Sequence, residues 1–311
     1  MTTTRRGTET AGTLQPTEIG RRLFRWGERT FVMGIVNVTP DSFSGDGLLG
    51  VSAAADPDRI VATAVDQAQR MVEEGADLLD IGGESTRPGH EPVDEAEELR
   101  RVVPVVAAIH AALPDTPLSI DTTKAGVATA AIDAGATLLN DVWGVGPDDG
   151  LTRLAASRGV PIVLMHNRGQ PVYRDLLEEV LADLRAAIDR AIALGVPTRS
   201  IIVDPGFGFG KTAEQNLVLL AGLDRLRSLG RPILLGTSRK STLGKVLDLP
   251  ADERLEATIA TTALGIRAGA DIVRVHDVRA NVRAARIADA VVRGWEPSGA
   301  AGTTPTDSRN R

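Results

Sequence analysis

Polar residues able to bind or catalyse recur at one kind of position in this chain, directly after a short apolar run. Asn37 follows the first run and Gly82-Gly83-Glu84 ends the next. Asp121, Asn140-Asp141, His166 and Asp204 follow in turn, and Ser238 with Lys240, then Arg274 with His276, complete the series. An Asp or Asn after a strand is often only the N-cap of the next helix. That explains single positions, but not nearly all of eight in succession. The set also has a chemical logic. Arg87, Lys240, Arg274 and His276 gather positive charge in a chain of formal net charge −6, and Arg and Lys suit phosphate oxygens. Asp121, Asn140 and Asp204 supply acceptors and an amide. Buried carboxylates need strong donors or they neutralise, and a ligand with an N–H/NH₂ edge would provide them. Together these residues describe a site for a nitrogen-rich ring at one end and a phosphate at the other.

The stretch VDPGFGFGKTAEQN, Val203 to Asn216, raises a rival idea, a nucleotide phosphate loop. Such a loop has four residues between its first glycine and its Gly-Lys-Thr end. Counting back from Gly210, the first glycine should stand where Pro205 stands, and proline has no N–H to aim at phosphate. The match to an ATP site is poor, and Asp204 and its glycines require another purpose.

Positioning these residues falls to eight apolar runs: Val32–Val38, Leu78–Gly82, Leu118–Asp121, Leu138–Val142, Ile162–His166, Ile201–Asp204, Ile233–Gly236 and Ile272–His276. Rich in β-branched residues and Leu, with little polar alternation, they read as strands buried on both faces of a parallel sheet. Helical periodicity fills the gaps, as in Asp58–Glu74, Asp94–Ala112, Leu176–Leu194 and Glu253–Ala268, and Gly75, Gly195 and Gly269 supply stop signals. The alternation predicts an α/β fold, a single (β/α)₈ TIM barrel, with a doubly wound open sheet as the alternative. In a barrel all strand C-termini open on one face, where active sites sit. Leu23–Thr30, turning at Gly27, is expected to form a β-hairpin capping the N-terminal end. Residues 1–17 and 296–311 are expected to be disordered tails flanking a domain at 18–295. Two Gly-, Ser- and Pro-rich loops on the active face, Thr39–Gly50 and Ser85–Pro92, resemble lids and carry Phe43 and Arg87.

Composition narrows the function classes. Apolar residues make up 42% and charged ones 24%, ordinary for a globular protein, while aromatics are only 3%, so Ala, Val, Leu and Ile must fill the core. The acidic balance argues against nucleic-acid or anionic-membrane partners. The absence of Cys excludes disulfides, thiolate metal sites and a Cys nucleophile. No secretory h-region follows the N-terminal Arg pair and no run is long enough to span a bilayer, so a cytoplasmic location is expected.

Eight blocks then carry a resemblance: MGIVNVTPDSFS, DIGGESTRPG, SIDTTK, AGATLLNDVWG, PIVLMHNRG, VDPGFGFGKTAEQN, GTSRKS and DIVRVHDV. In this order they resemble the dihydropteroate synthases, pterin-binding enzymes of folate biosynthesis and sulfonamide targets. The resemblance implies condensation of p-aminobenzoate with (7,8-dihydropterin-6-yl)methyl diphosphate by SN1-like loss of diphosphate. It implies that Asp121, Asn140, Asp204 and Lys240 bind the pterin. Asn37, Arg87, Arg274 and His276 would hold the diphosphate, with Asn37 also on a Mg²⁺ ion. Thr86, Pro88, Phe43, Phe209, Lys240 and Ser241 would surround p-aminobenzoate. The catalytic set would be Arg87, Lys240, Arg274 and His276. Lys211 is expected to be a solvated residue at a helix start, and His166 a structural one. The lid-loop aspartate of many relatives is displaced by one position, to Asp46, so its role against Asp41 stays open. A homodimer through the later barrel helices is implied. The alternatives are a methyltetrahydrofolate–corrinoid methyltransferase, a Schiff-base aldolase using Lys240, and a catalytically silent pterin-binding protein.

Overall fold

The structure, a computed structural model, describes residues 14–38, 56–84 and 93–295. Both expected lids, with Asp41, Phe43, Asp46, Thr86, Arg87 and Pro88, lie outside the described residues, as do the segments 1–13 and 296–311.

Eight parallel strands form one sheet. They are β3 (Phe31–Asn37), β4 (Leu78–Gly82), β5 (Leu118–Asp121), β6 (Leu138–Asp141), β7 (Ile162–Met165), β8 (Ile201–Asp204), β9 (Leu234–Leu235) and β10 (Ile272–Val275). Their order is β8-β7-β6-β5-β4-β3-β10-β9. A single bridge, Val203 to Ile233, brings the two ends together, with the Val203 N–H donating to Pro232 O at 2.9 Å. This near closure decides for the (β/α)₈ barrel over the open sheet. Each strand lies within a residue or two of its expected position.

The flanking helices are α1 (Pro57–Glu73), α2 (Glu95–Ala112), α3 (Ala125–Asp133), α4 (Gly150–Arg158), α5 (Leu176–Ala193), α6 (Ala213–Ala221), α7 (Ser241–Leu247), α8 (Leu255–Ala268) and α9 (Val278–Val292). Local chemistry fixes several starts. Asp94 and Asp175 accept hydrogen bonds from the N–H groups of Glu97 and Glu178, and Thr212 with Gln215 forms a full capping box. None of the described helices is long and apolar enough to cross a membrane.

Strand alternation divides the core in two. Residues such as Leu79, Ile81, Leu118, Ile120, Leu164 and Val203 point outward and pack under the helices. Met33, Leu78, Leu138, Val163, Ile202, Leu234 and Ile272 form a separate apolar cluster with Ile19, Phe24, Trp26 and Phe31. This second cluster fills the lower barrel interior, and the hairpin plugs it from below.

The hairpin is present but lies earlier than expected. Its strands are β1 (Thr17–Ile19) and β2 (Arg22–Phe24), joined through Gly20-Arg21. Gly20 takes φ 59°, as a tight two-residue turn requires, and Gly27 also has a positive φ but serves the connection to β3. Two glycines of the same competence stand seven residues apart, and only burial of Ile19 and Phe24 against the barrel selects the first. The folded part therefore takes in Thr17, which is fully buried and accepts a hydrogen bond from Trp26 Nε1, and Leu14, which packs on the plug.

Phe24 stacks on Trp26 with ring centroids 5.8 Å apart and meets Phe31 at a tilt, 4.7 Å away. Phe24→Ala should lower the unfolding free energy by about 3–5 kcal/mol, measured by urea denaturation. A loss below about 1 kcal/mol would show that the hairpin is dispensable to the barrel.

Candidate active site

Above the apolar plug the barrel interior turns polar, and alternation explains which residues enter it. On β4, Leu78 faces inward, so Asp80 and Gly82 do too; the same count places Ser119 and Asp121 of β5, Asn140 of β6, Asp204 of β8 and Arg274 of β10 inside. Register sets them side by side, with Asn37 opposite Gly82, Gly82 opposite Asp121 and Asp121 opposite Asn140.

Arg274 organises this layer. Its Nε donates to Asp80 Oδ2 at 2.6 Å and its Nη2 to Asp121 Oδ2 at 2.8 Å. Asp80 Oδ2 also accepts from Asn140 Nδ2 at 3.0 Å. The other oxygens, Asp80 Oδ1 and Asp121 Oδ1, are buried and accept no hydrogen bond from protein, and the Ser119 hydroxyl is likewise unpartnered. Unsatisfied buried acceptors are costly, so this floor is chemically primed for a ligand's N–H donors or for water. Burial pushes Asp121 up to about 7, against the pull of Arg274 and with a further push from Asp80.

The loop after β8 forms the next wall. Asp204 Oδ1 accepts the Gly206 N–H at 2.7 Å. Burial raises Asp204 to about 6, while that hydrogen bond and the Lys240, Arg274 and Lys211 cations oppose the rise. The glycines are there for proximity. A Cβ on Gly206, at φ 70°, would lie 1.8 Å from His166 O, and one on Gly208 would lie 2.7 Å from Lys240 Cδ. The Lys240 ammonium sits 3.7 Å from the centroid of the Phe209 ring, a cation–π contact. Lys240 and Phe209 thus form one amphipathic wall.

Lys211 departs from expectation. It is not a solvated residue at a helix start; its ammonium points inward to His166 Nδ1 at 3.0 Å and to the carbonyls of Gly206 and Phe209 at 3.1 and 3.0 Å. Burial pushes Lys211 down to about 7, with Asp204 pulling upward. His166 is fully buried, its Nε2 3.2 Å from Asp183 Oδ2. Burial and then the Lys211 cation hold His166 near 4, so the ring is neutral.

On the far side, Arg239 adopts φ 56°, a conformation that costs a non-glycine residue energy. It is fixed by a bidentate pair with Asp277 at 3.0 and 2.7 Å and by its N–H to Thr258. The twist directs its neighbours, Ser238 toward His276 and Lys240 toward Phe209. The Ser238 hydroxyl lies 2.9 Å from His276 Nδ1 and accepts the His276 N–H. Ser241 opens α7 and is exposed. Asn37, half-buried, ends β3 at the rim.

The structure therefore brings Asp121, Asn140, Asp204 and Arg274 together in the barrel mouth, bordered by Phe209 and Lys240. Sequence reasoning missed Asp80 and the inward turn of Lys211. Asp80 had a visible signal, a lone acid inside the apolar run LLDIG. Lys211 had none, because only the folded loop shows where its ammonium goes. Among the described residues no group of three or more His, Cys, Asp or Glu side chains could hold a metal ion.

Removing Asp80 would take from buried Arg274 one of its two carboxylate partners and from Asn140 Nδ2 its acceptor. Asp80→Ala should cost about 3–5 kcal/mol of stability, read by denaturant unfolding. A loss under about 1 kcal/mol would mean that Arg274 is compensated without it.

Known proteins resemble this chain in sequence and in fold. The family model described as pterin binding enzyme matches residues 33–276. A dihydropteroate synthase from Clostridium beijerinckii is 51% identical over 277 residues, covering 89% of this chain and 99% of the relative. The solved dihydropteroate synthase of Clostridium difficile, studied in the presence of pteroic acid, is 48% identical with a TM-score of 0.80, covering 87% of this chain and 99% of its own. That of Xanthomonas albilineans, with 4-aminobenzoic acid, is 43% identical with a TM-score of 0.82, covering 90% and 98%. Strand-end acids, the cation among them and these matches lead to one conclusion: the chain belongs to the pterin-binding enzyme family, among its dihydropteroate synthases.

Proposed function

We propose that the chain joins p-aminobenzoate to (7,8-dihydropterin-6-yl)methyl diphosphate, giving 7,8-dihydropteroate and diphosphate. The observation that carries this reading is the buried acceptor floor, where Asp121 and Asp80 each keep an unbonded oxygen beside Asn140. An aminopyrimidinone edge has the donors these oxygens lack. Asp204 would take adjacent ring N–H and NH₂ groups as a charge-assisted pair, and Lys240 would donate to the same ring. Phe209 and the Lys240 stem would flank p-aminobenzoate, with Ser241 near its carboxylate and Thr86, Pro88 and Phe43 as its further contacts.

Arg87 and His276 would hold the diphosphate. Arg274 has two of its three nitrogens committed to Asp80 and Asp121, which leaves Nη1 for that role. Asn37 offers an amide oxygen at the rim, a hard donor suited to Mg²⁺, and one protein ligand suffices for an ion that keeps several waters. When bound, Mg²⁺ would neutralise diphosphate charge. The C–O bond to diphosphate breaks first, leaving a pterin-stabilised methylene cation. The arylamine nitrogen then forms the new C–N bond and releases a proton. An arylamine needs no activated Ser or Cys. The protein's contribution is to stabilise the departing polyanion and exclude water. The corrinoid methyltransferase reading has no use for a cationic diphosphate end.

Exposed apolar side chains collect on the later helices, with Leu217 and Val218 on α6, Val246 and Leu247 on α7 and Leu264 on α8. A homodimer that buries this face accounts for them, and sedimentation analysis should give twice the chain mass.

Formation of dihydropteroate from the two purified substrates with Mg²⁺ tests the reaction, and no product from folded protein would refute it. Pterin binding needs Asp204 as a carboxylate, so affinity should be full above its value of about 6 and fall as pH drops through it, with Asp121, at about 7, broadening the limb upward. Asp204→Asn should weaken pterin binding by roughly 1.5–3 kcal/mol in calorimetry; an unchanged affinity would remove Asp204 from the pocket. Asn37→Ala should weaken Mg²⁺-dependent binding of the pterin diphosphate while sparing the phosphate-free pterin. Equal losses for both ligands would make Asn37 structural.

A further inference from the structure

Lys211 is set too deeply for an ordinary helix-start lysine, and the reaction above makes no use of it. An ammonium has three N–H donors. Here they meet His166 Nδ1 at 3.0 Å, Phe209 O at 3.0 Å and Gly206 O at 3.1 Å, with His166 O a longer fourth acceptor at 3.5 Å. These acceptors lie just after β7 and at both ends of the loop Gly206–Phe209. The match requires a lone pair on His166 Nδ1, hence a proton on Nε2. Asp183 Oδ2 is placed to accept that proton at 3.2 Å, and is itself held by Arg168 Nη2 at 2.7 Å. Lys211 thus donates to His166 and His166 to Asp183, while Arg168 donates to the same carboxylate from the other side.

The loop so clamped carries two of the proposed substrate contacts, Asp204 before it and Phe209 within it. Its other described ties are the Gly206 N–H to Asp204 Oδ1 at 2.7 Å, the Phe209 ring 3.7 Å from the Lys240 ammonium, and the Gly208 N–H to Asn216 Oδ1 at 2.7 Å, with Asn216 Nδ2 bonded in turn to Thr242 Oγ1 at 3.0 Å. Three glycines at positive φ, Gly206, Gly208 and Gly210, give this backbone little stiffness of its own. The charged groups facing the ammonium are Asp204 from β8, Asp183 from α5, Arg168 from the segment after β7 and Lys240 from the segment before α7. We infer that Lys211 is a positioning residue: its ammonium staples the 206–209 backbone to His166 and so fixes where Asp204 and Phe209 meet the substrates. Nζ is turned toward backbone carbonyls, so the residue acts through the loop. This inference rests on the proposed reaction for its kinetic arm only.

The chain has no Cys, so Lys211→Cys introduces a single thiol. Alkylating it with 2-bromoethylamine in denaturant, followed by refolding, forms one C–S bond with loss of bromide and a proton. The product carries an ammonium at nearly the reach of lysine. Lys211→Met supplies the apolar control. In Lys211→Met and in unmodified Lys211→Cys, hydrogen exchange should quicken in peptides covering 203–216 and stay unchanged in the β3–β6 strands. KM for both substrates should rise about tenfold or more, as losing roughly 1.4 kcal/mol of binding does, with kcat less affected because Asp204 and Phe209 hold the substrates and take no part in the bond changes. Aminoethylation should restore both readouts. Loss of active enzyme with KM unchanged, native exchange at 203–216 in the Met variant, or failure of the restored ammonium to recover KM would each overturn the inference. If the wild-type protein makes no product, the reaction is wrong, and the exchange arm with its rescue still decides whether the ammonium fixes the loop.

Discussion

A guanidinium buried between two carboxylates is the constraint on which this molecule turns. Arg274 meets Asp80 and Asp121 inside a barrel whose lower half is sealed by hydrocarbon. Charges so placed lose hydration and must recover it from one another. The recovery is incomplete by construction: one cation faces two acids, and one oxygen of each acid remains without a partner. A floor left with surplus acceptors discriminates by hydrogen-bond donors, because a ligand lacking them would leave the same oxygens unsatisfied while also displacing water. The proposed preference for a donor-rich heterocycle thus rests on the ion cluster.

The walls follow from how the strands are joined. Lower positions on the inward faces are apolar and feed the plug; positions one step higher include Asp80, Asn140, Asp204 and Arg274. The same alternation that buries Leu78 and Ile272 therefore exposes Asp80 and Arg274 to the mouth. Two local strains refine the rim: the glycine loop after Asp204, tight enough that a Cβ on Gly206 would strike His166 O, and Arg239 held at positive φ by Asp277. Each places a residue of the proposed p-aminobenzoate wall, Phe209 in one case and Lys240 in the other.

Much of this was legible in the sequence, for identifiable reasons. Strands buried on both faces leave unmistakable apolar runs, so the eight-fold alternation and the strand-end residues Asp121, Asn140, Asp204 and Arg274 were readable directly. The hairpin register was not, since Gly20 and Gly27 are equally able to turn and only packing on Phe31 and the barrel floor separates them. Asp80 was visible as a lone acid among apolar neighbours but lacked the strand-end position that drew attention to the others. Lys211 beside Thr212 gave the local signature of a helix start, and Thr212 does cap α6. The lysine's inward turn depends on His166, 45 residues earlier, a contact that no local pattern encodes.

Strand order carries a consequence for biogenesis. β10, the last strand, sits between β3, the first of the barrel, and β9, and it brings Arg274 to acids that precede it by 194 and 153 residues. On the ribosome, Asp80 and Asp121 are made long before their cation exists. A nascent chain that collapsed its first strands early would bury both acids uncompensated, so the upper interior must stay hydrated until the final strand is synthesised. Assembly of the ion cluster and completion of the barrel are therefore one step, made when β10 takes its place between β3 and β9.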